Sequence, residues 1–76
     1  MNETLFYFKL MYGGYAEKWK NENDDRKVFV SIYRQIIKSL EIAISLNDTY
    51  IKVALHHEIQ KDEDRLNEII NEFDFF

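Results

Sequence analysis

The chain has 76 residues, a net charge of −4 at neutral pH, no cysteine and a 46% share of hydrophobic residues. That length is expected to make one domain spanning residues 1–76, burying only about 60–65% of the surface its unfolded chain exposes. Without cysteine there is no disulfide framework, thiolate nucleophile or cysteine-ligated zinc. Charges interrupt every apolar run well short of the roughly 20 residues that cross a bilayer. With no basic leader region at its start, the sequence reads as a cytoplasmic protein without a membrane span.

The first twenty residues hold Phe6, Tyr7, Phe8, Tyr12, Tyr15 and Trp19. Asn2 can cap a helix from Glu3 to Tyr12 that stops at Gly13. If the helix runs on through the glycines, Leu5, Phe8, Tyr12, Tyr15 and Trp19 share one face. The alternative is an α+β fold in which Gly13-Gly14 turns a hairpin, setting Tyr12 against Tyr15 and Phe8 against Trp19. Helix is the preferred reading, and Phe8 and Trp19 are expected to be largely buried.

Residues 24–46 carry the clearest periodicity. Phe29, Ile32, Tyr33, Ile36, Ile37, Leu40, Ala43 and Ile44 fall on one face of a helix, with Lys27, Ser31, Arg34, Lys38, Glu41 and Ser45 opposite. Asp24 and Asp25 suit its start, and Asn47-Asp48 suits a stop and restart. A rival hairpin, Glu41–Leu46 against Thr49–Leu55, would cut this pattern in mid-run.

Beyond Asp48, Ile51, Leu55, Ile59, Leu66, Ile69, Ile70 and Phe73 keep helical spacing, while Lys61-Asp62-Glu63-Asp64 interrupts it. The reading that buries fewer lone charges turns the chain there, with Asp62 capping a last helix over residues 63–75. Thr49–Phe73 then resembles one tetratricopeptide-type helix pair, with Val53, Ala54, His57, Leu66 and Ile70 at its packing positions. Any antiparallel helix pair gives much of that pattern. The fold class is therefore all-α: a small helical bundle or helical hairpin with a long central helix.

Chemistry is sparse. His56, His57 and Glu58 are adjacent, so a helix turns them about 100° apart, and no His-x-x-x-His or His-Glu-x-x-His spacing exists. Gly13-Gly14 lacks the Lys-Ser/Thr of a phosphate loop. No catalytic residue, metal site or cofactor is expected, and the chain is read as not an enzyme.

Charge is segregated instead. Residues 47–76 carry eight acidic side chains against three basic ones. Such a stripe repels phosphates and attracts basic protein surfaces. The terminal Asn71-Glu72-Phe73-Asp74-Phe75-Phe76 is similar in chemistry to the acidic, Phe-terminated tail with which bacterial single-stranded-DNA-binding proteins recruit partners. Candidate partner-binding residues are Glu58, Asp62, Glu63, Glu68, Glu72, Phe75 and Phe76.

These features point to a small cytosolic protein–protein interaction module facing a basic surface. One concrete form is a phage or mobile-element inhibitor of a host protein, which fits a composition rich in residues with AT-rich codons. The first alternative is a homo-oligomeric, antitoxin-like regulatory module, with a homodimer as its form. The second is a nucleic-acid binder acting through Lys27, Arg34 and Lys38, which the acidic balance disfavours.

Overall fold

Phe8, Tyr12, Ala16 and Trp19 recur at intervals of four and three, which places them along one side of a helix. In the computed structural model, which describes residues 1–74, that helix is α1 (Asn2–Lys18). It is followed by α2 (Asp25–Leu46) and α3 (Thr49–Asp74). The described residues contain no strand, so neither the Gly13-Gly14 hairpin nor the Glu41–Leu55 hairpin forms. The helix expected to stop at Gly13 instead runs five residues further, with Met1 at its cap position and Asn2 already inside it. Stopping at Gly13 would have pulled Ala16 and Trp19 off the buried side that both now occupy.

The start of α2 follows the sequence closely. The Asp24 side chain accepts the Arg26 backbone N–H at 3.0 Å, and the carboxylate also takes the Arg26 guanidinium. Its pKa is lowered to about 2, first by the hydrogen bond from that guanidinium and then by the backbone N–H. Asn47 ends α2 in the left-handed region at φ 51°, its N–H bonded to the Ala43 carbonyl. One residue on, the Asp48 carboxylate accepts from the N–H groups of Tyr50 and Ile51 and starts α3. Two helix ends are thus satisfied by two consecutive residues, Asn47 through its backbone N–H and Asp48 through its carboxylate.

α3 is the longest element, 26 residues without a break, and it overturns the expected turn at Lys61–Asp64. No tetratricopeptide-type pair exists within residues 49–74. Asp62 is a mid-helix residue, half-buried, and not a cap. Its pKa is raised, first by burial and then by the Glu58 charge one turn earlier. The fold tolerates this partly solvated carboxylate and keeps the helix whole. Breaking the helix would have orphaned eight backbone groups.

The three helices run up, down and up. Trp19 meets Phe29 across the first connection, 5.1 Å between ring centroids, which sets α2 antiparallel to α1. Tyr7 reaches Glu63 and Tyr15 reaches Asp74, so α1 and α3 run parallel. One core is shared by all three helices: Phe8 and Tyr12 from α1, Phe29, Ile36 and Leu40 from α2, and Ile59, Leu66 and Ile69 from α3. Phe8 and Trp19 are 2% and 3% exposed, as expected, while Ile37 is only half-buried. No buried side-chain polar atom among the described residues lacks a partner. No described helix is long and apolar enough to cross a membrane.

Candidate interaction surface

α2 lies against both of its neighbours, but no α1 backbone comes within 8 Å of α3 between Cα atoms. Long side chains close that gap. The hydroxyls of Tyr7 and Tyr12 both donate to Glu63 Oε2, at 2.8 and 2.7 Å, and Tyr12 also lies 3.3 Å from Asn67 Oδ1. Tyr15 donates to Asp74 at 2.8 Å, and Lys18 lies 3.8 Å from the same carboxylate. All three phenols are harder to ionise than usual. For Tyr7 and Tyr15 the first cause is the carboxylate hydrogen bond, and for Tyr12 it is burial, followed by Glu63.

This seam changes the meaning of the acidic residues. Glu63 turns toward α1 and serves as an internal acceptor. Asp62, about 100° further round the helix, is half-buried one turn from Glu58. Glu68 is exposed and paired with Arg65 at 3.2 Å, while Glu58 and Glu72 are exposed. At 100° per residue, Glu63 and Glu72 lie about 180° apart on α3, so the expected acidic stripe is spread around the helix. Phe75 and Phe76 lie outside the described residues. Phe73 packs edge-on to Trp19, 6.2 Å between centroids, and carries the Arg26 guanidinium 4.7 Å above its ring.

Two apolar surfaces emerge that the sequence reading had not marked. The first is the outward side of α1. Phe6 and Leu10 are 69% and 70% exposed, and Met11 and Tyr7 stand beside them, also exposed. One turn on, Gly14 has open space where a side chain would be. α1 is therefore apolar nearly all round, a pattern that fits a helix covered on every side, yet only its inner side is covered here. Its outward band was hidden among core-forming aromatics, and the signal that would have found it is Phe6 and Leu10 off the face of Phe8 and Tyr12. The second surface is the α2–α3 corner, where Leu46, Tyr50 and Val53 are exposed. The start of α1 reaches this corner, where Met1 and Thr4 share an open hollow with Thr49 and Val53.

A groove lies between these surfaces, along the α1–α3 seam. Its cavity of about 310 Å³ is floored by Phe8 and Ile59 and walled by Tyr7, with Glu3, Gln60 and Glu63 around it. It continues past Thr4 and His56 into an open hollow beside Lys52 and Val53. Among the described residues no group of three His, Asp or Glu side chains is placed to hold a metal ion. Lys27, Arg34 and Lys38, the candidate nucleic-acid contacts, are exposed along one outward line of α2. No protein-family model, curated protein or solved structure matches the chain.

Proposed function

We propose that this protein is a protein–protein interaction module that docks through the outward side of α1, with acidic side chains selecting a basic rim on its partner. The observation that carries this reading is the exposure of Phe6 and Leu10, each near 70%, on a helix whose opposite face is in the core. Aromatic and large aliphatic anchors supply most of the affinity of an interface, and charges around them supply selectivity and encounter rate. The inhibitor reading, in which such a module occludes a basic site on another protein, follows from the same surface and from the net charge of −4.

The test is affinity capture from cells expressing a tagged chain, comparing the parent with the Phe6→Glu/Leu10→Glu pair. The parent retains a protein partner stoichiometrically and the pair loses it, while an Arg34→Glu/Lys38→Glu control on α2 keeps it. Retention of DNA by the parent, lost in the α2 control, would favour the nucleic-acid reading instead. A second copy as the retained partner would favour the homo-oligomeric one.

A further inference from the structure

The groove beside the α1 band has features that its role in holding two helices together does not require. Glu63 uses one carboxylate oxygen for both tyrosine hydroxyls. Its other oxygen takes no hydrogen bond from a described residue, and no described cation lies within 4 Å of Glu63 or Glu3. Two carboxylates thus border a cavity with an apolar floor and an aromatic wall, which His56 also lines, and neither is ion-paired with a described residue.

We propose that this groove receives an arginine side chain of the partner protein. The chemistry of the lining selects that group. The aliphatic stem of arginine gains by covering Phe8 and Ile59, while its head stays at the polar rim. The planar guanidinium can donate to the free Glu63 oxygen and to Glu3 while lying against the Tyr7 ring, which an ammonium does less well. Gln60 offers a further acceptor. At about 310 Å³, open along one side, the groove is at the small end of the roughly 300–1,000 Å³ typical of ligand pockets. That size suits a single side chain better than a whole metabolite. The position fits as well, since Tyr7 belongs both to this wall and to the exposed band of α1.

The inference rests on the docking reading above, yet it can be tested without a partner. Acetyl-arginine methylamide is titrated into the ¹⁵N-labelled protein, with acetyl-citrulline methylamide at matched ionic strength as the neutral counterpart. Saturable shifts are expected at the amides of Thr4, Tyr7, Gln60 and Glu63 with the arginine probe and not with citrulline. Glu3→Gln, which touches no core contact, weakens the probe roughly fivefold, the scale of one partly exposed charge pair. Glu63→Gln removes saturation, and Glu68→Gln on the outer side of α3 leaves it unchanged. Equal shifts from both probes, or equal losses in the Glu3 and Glu68 variants, would overturn the proposal. That failure would leave docking through Phe6 and Leu10 standing. A probe that binds while the Phe6/Leu10 pair retains every partner would instead remove the docking reading alone.

Discussion

Tyr12 and Glu63, 51 positions apart, are joined by a 2.7 Å hydrogen bond from a phenol that is 3% exposed. The same carboxylate oxygen holds Tyr7, whose ring is 42% exposed. One bond is therefore partly shielded from water and the other is exposed. Hydrogen bonds to charged groups contribute roughly 1.5–3 kcal/mol when desolvated and far less at the surface. Tyr12→Phe should cost about 1.5–3 kcal/mol in chemical denaturation, and Tyr7→Phe under about 0.5 kcal/mol. Equal losses in the two variants would show that the seam carries no buried hydrogen bond.

Alkaline stability should follow the same phenols. Folding raises the pKa of Tyr7, Tyr12 and Tyr15 above the ordinary value of 10.0. The folded state thus favours the neutral phenol. Stability from these groups is fully present below pH 10 and falls as the pH rises beyond it. Denaturation midpoints between pH 9 and about pH 11 should decline, and Tyr12→Phe should flatten the slope. A midpoint independent of pH over that range would contradict the assignment.

Asp62 should behave in the opposite sense to a stabilising carboxylate. Burial and the Glu58 charge hold its pKa above 3.8 in the fold, so ionisation at neutral pH works against folding. The penalty disappears as pH falls through the raised value. Asp62→Asn should raise Tm by a few degrees at pH 7 and have no effect near pH 3. A lowered Tm at pH 7 would mean that the carboxylate has a favourable partner.

The two glycines should respond differently to alanine. Both lie inside α1, and neither has a positive φ. A Cβ at Gly14 meets nothing within 4 Å, so Gly14→Ala should gain about 0.5–1 kcal/mol of helix propensity. A Cβ at Gly13 would lie 3.0 Å from the Tyr33 hydroxyl oxygen, which must shift to admit it. Gly13→Ala should therefore gain less, or lose stability. Thermal melts of the two variants decide this, and a larger gain at Gly13 would contradict the packing.

Most of the fold was legible where a signal was local. Asp24 and Asn47-Asp48 announced their helix ends because capping needs only neighbouring residues. The spacing of Phe29, Ile36 and Leu40 announced a buried face. The path through Gly13 was harder to read, because strand-forming aromatics and a glycine pair favour a hairpin locally. Packing of Ala16 and Trp19 against α2 overrides that preference. Continuity through Asp62 was hidden for a related reason, since the sequence does not reveal how much water the carboxylate keeps. The candidate groove could not be read at all. Tyr7 and Glu63 meet only through the parallel register of α1 and α3, which no periodicity encodes. The same register takes Glu63 out of the solvent-facing stripe, so its reversal to lysine should destabilise the fold as well as any interface.

The central claim is that the outward side of α1 is a docking surface, and quantitative affinity capture tests it most directly. Parent, Phe6→Glu/Leu10→Glu and Arg34→Glu/Lys38→Glu proteins are compared at equal concentration, after melting curves confirm that each is folded. The account predicts one protein partner retained by the parent and the α2 control, and lost at least about tenfold in the α1 pair. Equal retention by all three proteins would contradict it.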